Sequence, residues 1–170
     1  MKHHSLYLDW YIHVPKVEYD LRSSGIAYFR HDLNLGEVDL SVNYTPRVAE
    51  LLAERYGVKP ENVLVSSEGA SGHNSRIIRL IAERNRKKNE AVVEYPTYEP
   101  LLRQVQEYFP RLKRLERKKS EEYRLDAHEL GKIVSEKTGI IVLTNPHAPS
   151  GAVSDKSDLE GVMSVAREEG

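Results

Sequence analysis

Residues Gly139–Gly151 read GIIVLTNPHAPSG. An apolar run ends directly in a loop that carries Pro146 and Pro149, each of which fixes φ near −65° and removes a backbone donor. Ser150 and Gly151 then release the chain. A short apolar run bounded by turn residues predicts a strand buried on both faces. As the most apolar run of its kind, residues 139–144 are expected at the centre of a sheet. The braced loop after it offers Asn145, His147 and Ser150 as polar groups to whatever lies against it.

Upstream of this stretch, strand and helix patterns alternate from Pro46 onward. PRVAELLAERYGV has Val48, Leu51, Leu52 and Arg55 on neighbouring turns, with Gly57 as C-cap. NVLVSS (62–67) reads as a buried strand. SRIIRLIAERNRKK groups Ile77, Ile78, Ile81 and Ala82 on one face of a helix. AVVEY (91–95) is a further strand, stopped by Pro96. YEPLLRQVQEYF brings Leu101, Leu102, Val105, Tyr108 and Phe109 together at helical spacing. RLKRLERK predicts an edge strand. DAHELGKIVSE is a helix on Leu130, Ile133 and Val134 with Asp126 as N-cap. SDLEGVMSVAREEG closes the chain as a helix using Leu159, Val162, Met163 and Ala166. The charge runs RNRKKN and RLERKK read as solvated surface.

Strands separated by helices imply parallel pairing through right-handed crossovers. The expected fold class is therefore α/β: a mostly parallel sheet with helices on both faces, in three layers. Residues 1–45 do not share this rhythm and are expected to form an N-terminal arm. Residues 46–170 form the body.

Composition removes several classes of function. The chain has 170 residues, 39% hydrophobic and 30% charged, with 25 Lys and Arg against 26 Asp and Glu. That balance gives no global field for nucleic acid or an acidic membrane. The absence of cysteine removes thiol catalysis, disulfides and Cys-based zinc sites. The seven histidines lack His-Glu-x-x-His spacing, so no metal site is expected. No apolar stretch approaches the roughly 20 residues of a membrane span, and the N-terminus lacks a signal-peptide core. A cytoplasmic location is the expectation, with no nucleic-acid or membrane partner.

In a parallel sheet, ligands bind outside the carboxyl ends of the strands. Three predicted strands end there in unusual loops. EGASGHN (68–74) is a Gly-rich turn opening a helix, where Ala70, Ser71 and Gly72 would present amide N–H groups suited to a phosphate. It is neither a Walker A loop nor a dinucleotide Gly-x-Gly-x-x-Gly fingerprint, and an ordinary strand-to-helix turn reads the same way. PTY (96–98) sets Tyr98 to stack on a flat heteroaromatic ring or to pack at a helix start. NPHAPSG completes the set.

These three loops, in this order and with Tyr98 lying 27 positions after Ser71, resemble the fold-type-I pyridoxal-phosphate enzymes and most closely the class I/II aminotransferases. The lead-in LAERYGVKPENVLVSSEGASG is similar to that family's approach to its phosphate loop. The resemblance covers roughly residues 20–170 and is strongest at ERYGV…ENVLV, YPTY and NP..PSG. It implies pyridoxal 5'-phosphate as cofactor, amino acid and 2-oxo acid substrates, and a homodimer. Carried over by position, it implies that Ala70 and Ser71 bind the cofactor phosphate and that Tyr98 stacks on its ring; with that cofactor, Asn145 is the cofactor-binding residue expected from the stiff loop. Tyr44 matches a tyrosine that reaches the phosphate of the other subunit. Gly25, in Ser23–Gly25, matches a substrate-side loop.

Two departures stand out. The family usually carries Asn before its Pro-Thr/Ser-Gly, bonding the ring hydroxyl, and here that position is Ala148. Loss of such a bond costs about 1.5–3 kcal/mol, and Asn145 or His147 is the group placed to replace it. The chain also stops at Gly170, ahead of the regions where the family carries its Asp partner for the pyridinium, its Schiff-base lysine and its substrate arginine. Lys156 reads as a solvated helix-start residue. The expectation is the N-terminal part of a transaminase, inactive alone and with no catalytic residue of its own. A lyase, decarboxylase or racemase of the same fold, or a non-catalytic truncated remnant, are the alternatives.

Overall fold

The computed structural model describes residues 5–19, 39 and 41–168. The chain divides into two compact units, one of Met1–Val14 with Ala70–Gly170, the other of Pro15–Gly69. Among the described residues no helix is long and apolar enough to cross a membrane.

The larger unit is a three-stranded parallel sheet in the order β2-β1-β3, built from β1 (Glu90–Tyr95), β2 (Arg111–Glu116) and β3 (Thr138–Val142). Helix α1 (Leu6–His13) also belongs to it, with α3 (Gly69–Arg84), α4 (Glu99–Tyr108), α5 (Ala127–Ile133) and α6 (Lys156–Glu168) following in chain order. Alternation along β1 sends Ala91 and Val93 to one face of the sheet and Val92 to the other. The first pair packs with Ile78 of α3, Val105 of α4 and Phe109, the residue that ends α4. Val92 packs with Leu115, Leu125, Leu130 of α5 and Val162 of α6. The three layers expected from the sequence are thus present, with β1 buried from Glu90 to Glu94.

Local signals explain most boundaries. Asp126 caps α5, its carboxylate accepting from the His128 and Glu129 amides at 2.8 and 3.1 Å. Ser5 caps α1 in the same way, accepting from Leu8 N–H. In the smaller unit, α2 (Thr45–Tyr56) carries proline in its first turn and ends at Gly57 with φ 64°. That left-handed conformation favours glycine.

Three expectations are corrected. Among the described residues the 139–144 run, which forms β3 over Thr138–Val142, is an edge strand, and β1 is the central one. Apolar sequence reports that both faces of a strand are covered, whereas centrality depends on neighbours along both edges. Ile140 and Val142 pack toward α3 and α4, and Ile141 and Leu143 toward α5 and α6, but among the described residues β3 pairs with β1 alone. Residues 63–66 have no regular structure, and Leu64 is exposed. That segment has no ladder partner among the described residues, and a strand is stabilised only by pairing. Finally, Ile77, Leu159 and Met163 lie off the core. Met163 and Ala166 instead line an open groove of about 540 Å3 beside β3, together with Ile141 and Leu143.

Candidate functional site

Because both ladders are parallel, β1, β2 and β3 all end at one edge of the sheet. Helix α3 enters β1 through a short turn and so runs back against it, which brings the amino end of α3 to that same edge. Gly69 holds φ 64°, and the helix begins at once, so Ala70 and Ser71 form its first turn. The amides of a first helical turn have no acceptor within the helix. Here they belong to exposed residues. The amide of Gln104, on α4, donates to the Ser71 carbonyl at 3.0 Å and ties this turn to the next loop's helix.

That next loop is Pro96-Thr97-Tyr98. Tyr98 precedes α4 in extended conformation and is 42% exposed. Tyr7 of α1 meets it edge-on, with centroids 5.5 Å apart. Ser5 at the start of α1 donates to the Glu99 carboxylate, which also accepts from Arg103 at 2.6 Å. Burial, then the Tyr7 and Glu99 side chains, hold the Tyr98 phenol above its ordinary pKa, since each disfavours the phenolate. The Thr97 hydroxyl is buried and has no hydrogen-bond partner among the described residues.

The third loop, Thr144–Ser154, is fastened from below. Glu94, the fully buried acid near the end of β1, accepts from the Thr144 amide at 2.7 Å and from its hydroxyl at 2.5 Å. The same hydroxyl accepts from the Ala148 amide at 2.9 Å. Asn145 grips Ser154 from both ends of its amide, donating to the carbonyl at 3.0 Å and accepting from the N–H at 2.9 Å. His147 is 1% exposed. Its Nε2 lies 2.9 Å from the Pro96 carbonyl, which only accepts, so Nε2 carries the proton and Nδ1 accepts from the Ser150 hydroxyl at 2.6 Å. The Tyr95–Pro96, Asn145–Pro146 and Ala148–Pro149 peptide bonds are all cis.

The sequence residues therefore divide into two groups. Ala70, Ser71, Tyr98 and Asn145 belong to loops that the Gln104–Ser71 and His147–Pro96 bonds join along one edge. Asn145 retains one amide hydrogen and one carbonyl lone pair beyond its bonds to Ser154. His147 and Ser150 bond to one another instead of facing outward, so His147 cannot replace an asparagine at Ala148. Tyr44 is half-exposed in the smaller unit. Gly25 lies outside the described residues. Lys156 is exposed at the start of α6 and faces Glu160 at 3.6 Å, as a solvated residue would.

Sequence reading missed the Glu94–Arg117 pair. Arg117, in the run read as solvated, is 2% exposed and donates to Glu94 at 2.9 Å. It also donates to the Ser154 hydroxyl at 3.2 Å and the Tyr123 carbonyl at 2.7 Å. The available signal was Glu94 itself, an acid inside the apolar run AVVEY.

Known proteins are similar to this chain in sequence and in fold. Among curated proteins, the chain is 28% identical over 136 residues to histidinol-phosphate aminotransferase 2 of Carboxydothermus hydrogenoformans, covering 75% of this chain and 35% of that one. It is 25% identical over 118 residues to the histidinol-phosphate aminotransferase of Methanococcus aeolicus, covering 69% of this chain and 31% of the other. The chain thus spans about a third of the length of these relatives. The fold is similar to that of the aspartate aminotransferase of Thermus thermophilus with maleate, with a TM-score of 0.63 and 23% identity over 73% of this chain and 33% of that one. The model of the family described as aminotransferase class I and II matches residues 21–170, the whole of the sheet, helices α2 to α6 and the three loops, and the chain belongs to that family.

Proposed function

We propose that this chain is part of a pyridoxal-phosphate-dependent aminotransferase that moves an amino group between an amino acid and a 2-oxo acid in the cytoplasm, acting as a homodimer. The observation that carries this reading is the meeting of three features at one sheet edge. They are an exposed helix amino end at Ala70 and Ser71, a half-exposed Tyr98 ring, and the stiff loop of Asn145, joined by the Gln104–Ser71 and His147–Pro96 bonds.

These residues fit the cofactor chemically. A helix amino end with a serine suits a phosphate, and an aromatic face suits a pyridine. The Thr97 hydroxyl, without a partner among the described residues, is a further polar group at this edge. Ala70 and Ser71 would hold the phosphate, Tyr98 would orient the ring, and Asn145 would offer its remaining amide hydrogen. Tyr44 of a second subunit would add a phosphate contact, Gly25 would lie on the substrate side, and residues 1–45 would serve as an arm. When bound, the cofactor supplies an electron-withdrawing ring that stabilises negative charge on the substrate carbon.

The direct test is binding of pyridoxamine 5'-phosphate, which has no aldehyde and so cannot form imines with surface lysines. Equilibrium dialysis should show saturable binding that pyridoxamine, lacking the phosphate, does not match. Equal binding of the two would remove the phosphate role of Ala70 and Ser71. For the complete reading frame, amino donors including histidinol phosphate are offered with 2-oxoglutarate. Release of pyruvate or ammonia without an oxo acceptor would overturn transamination.

A further inference from the structure

Glu94 and Arg117 are too deeply buried to touch a ligand, yet their bonds reach both ends of the Asn145 loop. Glu94 ends the buried part of β1, Arg117 follows β2, and Thr144 follows β3. The carboxylate takes the Thr144 amide and hydroxyl on one oxygen and Arg117 on the other. Arg117 then reaches the Ser154 hydroxyl, and Ser154 is held by Asn145 through its backbone. The bonds close a ring: Glu94, Thr144, Asn145, Ser154, Arg117 and back to Glu94. A third tie runs from Arg117 to the Tyr123 carbonyl, and the Tyr123 ring lies 5.8 Å from that of His147.

Such a pair is not needed for the core as such. Buried ion pairs contribute little net stability over apolar residues of similar volume, and their best attested role is to fix one geometry. The planar guanidinium satisfies three acceptors at fixed angles, which lysine cannot do. We infer that Glu94 and Arg117 are positioning residues, which lock the Thr144–Ser154 loop so that Asn145 stands at one fixed place beside the Tyr98 loop. This inference rests on the cofactor reading of that edge.

Arg117→Lys is the informative variant, because it keeps a cation beside Glu94 while releasing Ser154 and the Tyr123 carbonyl. Amide hydrogen exchange at Ser154 and Ala148 should quicken, and pyridoxamine 5'-phosphate should bind roughly fivefold more weakly, the effect of one ordinary hydrogen bond. Phe109→Leu, in the other core cluster and beside Gly139 at the far end of β3 from the loop, serves as a control for general loss of stability. It should leave both readouts unchanged at an equal or lower urea midpoint. Equal weakening in the two variants would reduce the pair to a structural role and overturn the inference. Unchanged exchange at Ser154 and Ala148 in Arg117→Lys would overturn it as well. Tyr98→Leu separates the two levels. If it weakens binding while Arg117→Lys does not, the cofactor reading stands and the positioning role fails. If the unaltered chain binds nothing, the cofactor reading fails, and the exchange measurement alone decides whether the pair clamps the loop.

Discussion

Thr144→Val removes one oxygen and almost no volume. The hydroxyl it deletes donates to the Glu94 carboxylate at 2.5 Å and accepts from the Ala148 amide at 2.9 Å. A hydrogen bond to a charged group contributes about 1.5–3 kcal/mol and a neutral one about 0.5–1.5 kcal/mol. The two share an oxygen, so they do not add fully, and Glu94 keeps the Thr144 amide at 2.7 Å. A loss of about 2–3 kcal/mol is expected, a large part of a stability that is typically about 5–15 kcal/mol. For a chain of this length each kcal/mol lowers Tm by about 2–4 °C, so a fall of roughly 4–12 °C follows. Urea unfolding should show the midpoint fall with the slope unchanged, because the buried surface is the same. Thr144→Ser retains the hydroxyl and should lose far less. The reasoning is refuted if valine leaves the midpoint where it was, or if serine is as damaging as valine.

Further expectations rest on other contacts. A Cβ on Gly139 would lie 2.8 Å from the Phe109 ring and 3.1 Å from the Lys88 carbonyl. Gly139→Ala should therefore cost about 1–3 kcal/mol in urea unfolding, and Phe109→Leu in the same chain should recover part of the loss. Glu90 is held below the usual carboxylate range, first by Lys113 at 2.7 Å and then by the Ser135 hydroxyl at 2.9 Å. Its contribution is complete above the ordinary glutamate value of about 4.3 and is lost as pH falls through the depressed folded value. Glu90→Gln should thus be less stable than the parent at neutral pH and equal to it in strong acid, as read from urea midpoints across that range. Tyr7→Ala strips a neighbour and some burial from Tyr98. The Tyr98 phenol should then titrate nearer the ordinary value of about 10, as followed by NMR of ring-labelled tyrosine, while an unmoved midpoint would mean that Tyr7 does not shield it.

The layers were readable because each helix repeats its apolar residues at the helical period and carries its own stop or start, as with Asp126 and Gly57. The three loops were readable because proline and glycine restrict the backbone wherever they occur. The order of strands was not, since GIIVL carries no sign of how many neighbours it has. Nor was the tethering of the Asn145 loop. Arg117 has exposed charged neighbours in Glu116, Lys118 and Lys119, and its burial depends on Glu94, 23 residues earlier in the chain. Helix α1 was missed for a related reason. It buries no residue, so its apolar positions do not form a stripe, and only the Ser5 cap marks it.

The strand order also has a temporal side. The middle strand is the first of the three to leave the ribosome, so the sheet is assembled outward in both directions. Ala91 and Val93 are sheltered early, by a helix already made and by α4 immediately afterwards. Val92, on the opposite face, waits for Leu115, Leu130 and finally Val162, about seventy residues later. At roughly 5–20 residues per second this is on the order of 4–14 s. One side of the nascent sheet is therefore closed in steps across that interval, and its cover is complete only when α6 arrives.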